Sequence, residues 1–259
     1  MPHAALSARW ARHEPAFGGW VTGDNEVNIE LFGRLGYDYV GLDCQHTTLS
    51  EAQAAVLIRR MANAPFGIIV RVSKNDHAFI GRVLDAGADG VIVPMVSTPE
   101  EAVAAVAACR YPPEGVRSFG PMRADLGLDL GGLQDRVSCF VMIETSEGLE
   151  RVEEICAVPN LGGIYIGPAD LSIGLGLDPM KAFSSDQLDE PVKRIKAACE
   201  QAGVVMGSHS MNGTDAARWA GRGARLVSLG ADTTMMATMA RRELGVARAG
   251  GDEPGAAQR

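Results

Sequence analysis

Five reactive side chains follow four short apolar runs of the sequence. Asp43 and His46 follow "YVGL", Arg71 closes "GIIVR", Glu144 follows "FVMI", and Asp170 follows "GIYIGPA". Apolar runs of this length that are bounded by Gly, Pro or polar residues are typical of buried β-strands. If those strands are parallel, their carboxyl ends share one rim, and we expect the five side chains to lie together there.

The two carboxylates Glu144 and Asp170 favour a metal site. No Cys and no second His accompanies them, so a hard cation that prefers oxygen ligands, such as Mg²⁺ or Mn²⁺, fits best. Two protein ligands leave most of an octahedral shell to water and substrate. A 2-oxo acid can fill two of those positions, and the cation then polarises its ketone and stabilises the enolate formed at C3.

The remaining side chains suit the steps around such an enolate. Arg71 can hold the enolate oxygen or the partner carbonyl through charge-assisted hydrogen bonds. His46 can move the proton of the hydroxyl whose collapse breaks the carbon–carbon bond. Asp43, three residues earlier in the sequence, can orient His46.

Gly167, Pro168 and Ala169 precede Asp170 in the segment "GPAD". The backbone N–H groups of this segment can cradle the carboxylate of a substrate. The three residues are therefore candidate substrate-binding residues.

Each reactive residue also has a structural interpretation. Glu144 could cap the following helix or pair with a Lys, and Asp170 could cap the turn before "LSIG". His46 could be a hydrogen-bonding loop residue, and Arg71 could form a surface ion pair. Four independent structural roles at one rim are less expected than one functional site that uses all four residues.

Eight apolar runs alternate with segments of helical periodicity, which predicts a single α/β domain, a (β/α)₈ barrel. The runs are continuous, as expected for parallel strands buried on both faces. We place strands near residues 19–22, 39–42, 67–71, 90–94, 138–144, 162–166, 203–207 and 226–229. The domain spans residues 1–259, with a core at about 18–245 and a disordered tail at 246–259. The connection at 110–136 is long, and such loops are usually functional.

Composition and charge narrow the class of protein. The chain has 259 residues, 46% of them hydrophobic and 22% charged, and a net charge of −8. Because no basic run is present, we expect no nucleic-acid partner, and an anionic substrate needs a metal or a placed Arg. No apolar run reaches the roughly 18 residues of a membrane span, so we expect no membrane insertion. Five widely spaced cysteines without a CxxC motif favour a reducing, cytoplasmic setting.

Six segments of the chain resemble the HpcH/HpaI aldolase family, which also contains citrate-lyase β-subunit and malyl-CoA lyase relatives. The segments are "GLDCQH", "VRVSKND", "DAGADGVIVPMV", "CRYPPEGVRSFGP", "VMIETSEGLE" and "IYIGPADLSIGLG", and the resemblance covers roughly residues 18–240. It implies a modified (β/α)₈ barrel of the phosphoenolpyruvate/pyruvate type, and a homo-oligomer, a trimer or a hexamer with a swapped terminal helix.

The resemblance also implies roles for individual residues. It implies a divalent metal (Mg²⁺, Mn²⁺ or Co²⁺) on Glu144 and Asp170. It implies enolate stabilisation by Arg71, a catalytic role for His46, and a place in the pocket wall for Trp20.

Three positions depart from the family pattern. Gln45 stands where relatives often carry Glu, Met142 where they often carry Gln, and Pro121 where they often carry Ser. The first two positions lie near the metal and its waters in the family. The departures indicate a subgroup with different handling of the metal's waters or a different acceptor, and in the family the stretch around Pro121 can contribute to a neighbouring subunit's site.

Four other features have weaker claims to function. A Schiff-base aldolase needs a lysine at a strand end, and Lys74, which comes closest, lies in a segment that we read as a loop. This class of aldolase is therefore disfavoured. Cys44 is better read as a small buried hydrophobe than as a nucleophile. We read "SLGADTT", which resembles a phosphate-gripping helix start, as a simple helix cap, and His209 as a solvent-facing loop residue.

The leading functional interpretation is a class II aldolase, a carbon–carbon lyase that cleaves 4-hydroxy-2-oxo acids to pyruvate and an aldehyde. The alternative enzyme is a CoA-thioester lyase of the malyl-CoA or citrate-lyase β-subunit type. That reaction needs basic residues for the CoA phosphates, and the sequence shows no such cluster. A non-catalytic sensor of 2-oxo acids is the third possibility, which the intact His, Arg and acid pair disfavours.

Overall fold

A computed structural model describes residues 2–250, and eight parallel strands form their centre. The strands are β1 (Ala16–Val21), β2 (Tyr39–Asp43), β3 (Gly67–Arg71), β4 (Gly90–Val93), β5 (Ser138–Ile143), β6 (Gly163–Ile166), β7 (Val205–Ser208) and β8 (Leu226–Ala231). Each strand pairs with the next, and β8 pairs with β1, so the sheet closes into a barrel. The predicted (β/α)₈ barrel is confirmed, and every predicted strand overlaps an observed one.

Helices surround the barrel. They are α1 (Pro2–Ala11), α2 (Glu26–Arg34), α3 (Glu51–Arg60), α4 (His77–Ala86), α5 (Pro99–Cys109), α6 (Leu130–Asp135), α7 (Ser146–Glu150), α8 (Val152–Cys156), α9 (Pro168–Gly174), α10 (Asp189–Ala202), α11 (Gly213–Gly221) and α12 (Asp232–Arg248). No helix among residues 2–250 is long and apolar enough to cross a membrane.

Side-chain caps set the starts of several helices. Ser50 and Gln53 form a capping box at α3, and Thr98 and Glu101 form one at α5. Asp76 accepts a hydrogen bond from the backbone of the first turn of α4. These caps satisfy N–H groups that have no acceptor within the helix, so each helix begins directly after its strand-end loop.

Helix α1 closes the amino-terminal end of the barrel. Leu6 is fully buried against the interior residues, and the Trp10 ring lies 5.6 Å from Phe140 in an edge-to-face contact. The Trp10 indole donates a 3.0 Å hydrogen bond to the carbonyl of Arg225. The predicted core, which began near residue 18, omitted this helix, in which Leu6 and Trp10 are the anchoring apolar residues among the side chains that the structure describes.

The carboxyl-terminal boundary also differs from the prediction. Helix α12 continues through Arg248, past the predicted core boundary at residue 245. Residues 251–259 of the predicted tail lie outside the described residues.

Glycines opposite aromatic residues shape the barrel interior. The strand register places Gly18 beside Tyr39, and Gly41 beside Trp20. A Cβ atom at Gly18 would lie 2.1 Å from the Tyr39 ring, and one at Gly41 would lie 2.4 Å from the Trp20 ring. The two aromatic side chains therefore fill the space that the two glycines leave on the neighbouring strand.

We expect Gly18→Ala and Gly81→Ala to change stability in opposite directions. The new methyl group at Gly18 overlaps the Tyr39 ring, and such overpacking costs about 1–3 kcal/mol or more. The methyl group at Gly81, inside α4, meets nothing within 4 Å, so helix propensity should stabilise that variant by about 0.5–1 kcal/mol. Urea unfolding of both variants and the wild type checks this. A Gly18→Ala protein as stable as the wild type would contradict the packing.

Candidate active site

The carboxyl ends of the strands bring the predicted site residues to one mouth of the barrel. Trp20 lies in β1, Asp43 ends β2, Arg71 ends β3, Glu144 follows β5, and Asp170 lies in the first turn of α9 after β6. Because all eight strands are parallel, these positions share one rim.

Asp43 and Arg71 form a two-pronged ion pair. The barrel register places the two residues directly side by side on β2 and β3. Arg71 donates from Nε to Oδ1 at 2.8 Å and from Nη2 to Oδ2 at 2.6 Å. Both side chains are largely buried, so the planar guanidinium is held in one orientation.

Asp43 also organises the loop that follows β2. Its Oδ1 accepts a 3.0 Å hydrogen bond from the Gln45 backbone N–H. Burial acts to raise the pKa of Asp43, but Arg71 and the backbone amides of Gln45 and His46 outweigh it and hold the pKa below its ordinary value. The Asp43 carboxylate faces Arg71 and His46 is exposed, so the orientation of the His46 side chain by Asp43 stays a prediction.

Trp20 supports the other face of the Arg71 side chain. The Arg71 guanidinium carbon lies 5.3 Å from the centre of the Trp20 ring, a cation–π contact. On the interior side, Trp20 stacks on Tyr165, with ring centres 6.2 Å apart and planes 12° apart. Arg71 is therefore positioned by a carboxylate and by an aromatic stack.

Glu144 is a buried carboxylate, with a relative exposure of 2%. Its Oε1 accepts a 2.6 Å hydrogen bond from the Met95 backbone N–H. Burial raises the pKa of Glu144, and the nearby negative charge of Asp170 raises it further. Neither carboxylate forms a salt bridge within residues 2–250. The two therefore form a concentrated negative charge that no Lys or Arg neutralises by direct contact.

Met95, which the sequence prediction missed, shapes the site through its backbone. It follows β4 with a φ of 57°, a left-handed conformation that costs a non-glycine residue about 1–2 kcal/mol. This conformation accompanies the N–H bond to Glu144. The segment "GVIVPM" signals the end of a strand, but nothing in it reveals the conformation.

The segment "GPAD" lies against Glu144. A Cβ atom at Gly167 would lie 2.6 Å from Oε2 of Glu144, so only glycine fits there without displacing the carboxylate. Gly167 precedes α9 and provides no side-chain cap, and the first helical hydrogen bond runs from Leu171 to Gly167. Because Pro168 has no N–H, the N–H groups of Ala169 and Asp170 are the donors at this helix start.

Gln45 carries an unused hydrogen-bond acceptor beside Asp43. Its Oε1 is enclosed and has no hydrogen-bond partner among residues 2–250. A buried acceptor without a partner costs about 1–3 kcal/mol, which a water, a cation or a substrate donor would recover.

His209 is not the solvent-facing residue that the sequence suggested. It directly follows β7, its ring centre lies 5.2 Å from the Trp20 ring, and Nδ1 lies 2.9 Å from Ser228 Oγ. Burial, followed by the positive charge of Arg71, lowers its pKa to about 4. The signal that could have found it is its place at a strand end, like the other site residues.

The sequence favoured a structural interpretation for two other features, Cys44 and the start of α12. Cys44 is buried, and burial raises its pKa, so its thiol is not activated. Asp232 at the start of α12 accepts hydrogen bonds from Thr22 at 2.7 Å and from Asn28 at 2.8 Å. The N-cap position of α12 is Ala231, which makes no side-chain cap, so the Asp232 carboxylate binds neighbouring elements and the predicted simple helix cap is not observed.

Comparison with known proteins identifies the family. The model of the HpcH/HpaI aldolase/citrate lyase family matches residues 16–238. The chain belongs to the HpcH/HpaI aldolase/citrate lyase family. The predicted recognition and the predicted enzyme class, carbon–carbon lyase, are therefore confirmed.

Named relatives of this family align with nearly the whole chain. A hydroxypyruvate/pyruvate aldolase of Rhizorhabdus wittichii is 33% identical over 93% of this chain and 97% of its own. A 4-hydroxy-2-oxo-heptane-1,7-dioate aldolase of Salmonella dublin is 32% identical over 86% of each chain. The crystal structure of a family protein from Burkholderia cenocepacia superposes with a TM-score of 0.84 at 29% identity, covering 94% of this chain and 98% of that one.

Acid should destabilise the fold through His209. In the unfolded chain the imidazole takes up a proton near pH 6.5, whereas in the folded protein it does so only near pH 4. The unfolded state therefore gains a proton first, and the free energy of unfolding falls as the pH falls from 6.5 to 4. His209→Asn removes this contribution, so acid should destabilise the wild type more than the variant. The amount by which the free energy of unfolding of the wild type exceeds that of the variant should therefore shrink by up to about 2 kcal/mol between pH 7.5 and pH 5. Urea unfolding at the two pH values measures this, and an unchanged deficit would contradict the prediction.

Proposed function

We propose that the chain catalyses metal-dependent aldol cleavage and condensation of 4-hydroxy-2-oxo acids, which gives pyruvate or a close 2-oxo acid and an aldehyde. The observation that carries the proposal is the carboxylate pair of Glu144 and Asp170 at the same mouth as the fixed guanidinium of Arg71. The printed names of the relatives, a hydroxypyruvate/pyruvate aldolase and a 4-hydroxy-2-oxo-heptane-1,7-dioate aldolase, support the substrate class.

The residues fit a divalent cation such as Mg²⁺, Mn²⁺ or Co²⁺. Within residues 2–250 no group of three or more His, Cys, Asp or Glu side chains could hold a metal. A cation bound here would therefore take most of its ligands from water and substrate. Glu144 and Asp170 offer two carboxylates, which is the ligand number of Mg²⁺ sites that keep waters and bind substrate oxygens. The raised pKa of Glu144 and the enclosed, unpartnered Oε1 of Gln45 both favour positive charge or donors arriving there.

We propose a role for each of the protein groups at this mouth. A bound cation would polarise the ketone and stabilise the negative charge of the enolate. Arg71, locked by Asp43 and Trp20, donates hydrogen bonds to the oxygen on which that charge develops. His46 takes the proton of the C4 hydroxyl while the C3–C4 bond breaks, and the electron pair of that bond becomes the enolate. The N–H groups of Ala169 and Asp170 hold the substrate carboxylate.

Two departures from the family pattern touch this site. Met142 is buried in the barrel interior, and its methyl carbon would lie 3.0 Å from a Cβ atom at Gly167. It therefore places an apolar group beneath the "GPAD" segment, where a Gln would offer hydrogen bonds. Gln45 adds a neutral oxygen where a Glu would add a negative charge. We propose that the site orders fewer waters and binds its metal with less charge than relatives that carry those residues.

We propose a homo-oligomer, a trimer or hexamer, in a reducing cytoplasm. All five cysteines are free and buried, which supports the reducing setting. Large apolar side chains are exposed along the long connection and along α12, and these are the surfaces that a second copy would cover. They are Val116, Phe119, Met122, Leu128, Leu130, Met236, Met239 and Leu244.

We expect Glu144→Gln and Asp170→Asn each to lower the rate of pyruvate release from a 4-hydroxy-2-oxo acid by at least about 100-fold, because one ligand of the cation is lost. EDTA should abolish the wild-type activity, and Mg²⁺ or Mn²⁺ should restore it. Glu147→Gln is the matched control, since Glu147 is an exposed acid in the neighbouring helix α7. Activity that survives exhaustive chelation would overturn the proposal. Faster turnover of an acyl-CoA thioester would favour the CoA-thioester lyase instead.

We expect Arg71→Lys to lower kcat more than it raises KM. A lysine keeps the charge but loses the two-pronged bond to Asp43 and the flat contact with Trp20, so its ammonium is not held at the enolate oxygen. The loss should be about 10²–10³-fold in kcat, the size found when one donor to a developing oxyanion is removed. Steady-state kinetics separates the two parameters, and a change in KM alone would assign Arg71 to ground-state binding.

A further inference from the structure

His209 lies at the mouth of the barrel and has no part in the steps assigned above. Its ring meets the edge of Trp20 at 5.2 Å and 71°, and Trp20 carries the guanidinium of Arg71. The charges of Arg71 and Asp43 both act on its imidazole. The residue is therefore within reach of the volume in which the carbon–carbon bond is made and broken.

Hydrogen bonding engages one ring nitrogen of His209 and leaves the other open. Nδ1 lies 2.9 Å from Ser228 Oγ, and that oxygen also accepts a 3.1 Å bond from the Ser210 backbone N–H. Nε2 forms no hydrogen bond within residues 2–250, and it is not among the enclosed atoms that lack a partner. The ring is only partly buried, so Nε2 is the nitrogen that remains available to a substrate.

The position of His209 assigns it to the aldehyde half of the substrate. Glu144 and Asp170, after β5 and β6, account for the 2-oxo acid half. Met95, after β4, donates its backbone N–H to Glu144. Asp232, which follows β8, accepts hydrogen bonds from Thr22 and Asn28. Among these strand ends, β7 offers the polar group with a free hydrogen-bonding atom.

The ring offers a neutral partner rather than a positive charge. The aromatic rings of Trp20 and Phe183 lie edge-on to it, the Ser228 hydroxyl meets Nδ1, and the nearest carboxylate, Asp43, is bound by Arg71. Burial and Arg71 lower the pKa of His209 to about 4, so the imidazole is neutral near pH 7. A neutral Nε2 donates or accepts a hydrogen bond according to the tautomer, and a hydroxyl group can accept from it or donate to it.

We propose that His209 binds the aldehyde half through one hydrogen bond at Nε2 and so selects aldehydes with a hydroxyl group next to the carbonyl. Aldehydes without a polar substituent gain nothing from this bond. The inference rests on the proposed aldolase function and names the acceptor class for it.

The test compares aldehydes within each variant, so that a general loss of activity cancels. Condensation of pyruvate with glycolaldehyde, acetaldehyde and succinic semialdehyde is followed with Mn²⁺ in the wild type, His209→Leu and His209→Gln. We expect His209→Leu to lower the glycolaldehyde-to-acetaldehyde ratio of kcat/KM about tenfold, the effect of one lost hydrogen bond. His209→Gln, which keeps a neutral hydrogen-bonding group, should restore most of the ratio. His77→Leu, at an exposed position of α4, is the control and should leave the ratio unchanged.

Each outcome decides between the claims. An unchanged ratio in His209→Leu overturns the inference, and so does a loss of succinic semialdehyde condensation larger than that of glycolaldehyde, because the bond would then serve a carboxylate rather than a hydroxyl. If His209→Leu does not fold, His209→Gln and Ser228→Ala decide the inference. Each must lower the glycolaldehyde-to-acetaldehyde ratio of kcat/KM, by less than tenfold. Metal-dependent decarboxylation of oxaloacetate by the wild type needs no aldehyde. Its absence would overturn the proposed function itself.

Discussion

A buried carboxylate without a cationic partner of its own is the constraint on which this site depends. Glu144 is enclosed and accepts a hydrogen bond from the backbone N–H of Met95, and it lies close enough to Asp170 for the second charge to raise its pKa. The charge of Asp170 repels that of the buried Glu144, and the repulsion is relieved by a proton or by a cation. The left-handed Met95 and the glycine at 167 keep the carboxylate in place at a conformational cost.

The other half of the mouth is built to hold one positive charge rigidly. Asp43 and Arg71 are neighbours in the barrel register, and their ion pair rests on the stack of Trp20 and Tyr165. The stack depends in turn on Gly41, which leaves room for the Trp20 ring. A guanidinium fixed in this way needs little reorganisation when negative charge develops on a substrate oxygen, which is how preorganised donors lower a barrier.

The sequence predicted the barrel because parallel strands that are buried on both faces leave continuous apolar runs, and the Gly and Pro residues around them mark the ends. The same rule predicted that Asp43, Arg71, Glu144 and Asp170 lie at one rim, since each stands at or shortly after the end of such a run. The strand register could not be read from the runs, and so the pairing of Asp43 with Arg71 was missed.

Other features had no local signal at all. His209 looked like a loop residue because its environment comes from Trp20 and Ser228, which lie far from it in the sequence. The conformation of Met95 follows from the position of Glu144, about fifty residues later in the chain. Helix α1 has two apolar anchors, too few for a periodic pattern, and its place is set by the open end of the barrel.

Binding of Mn²⁺ to the purified protein, followed by electron paramagnetic resonance, tests the central claim most directly. The account predicts one site per subunit, tighter binding in the presence of oxalate, and loss of that site in the double variant Glu144→Gln/Asp170→Asn but not in Glu147→Gln. Mn²⁺ that binds the double variant as tightly as the wild type would contradict the account.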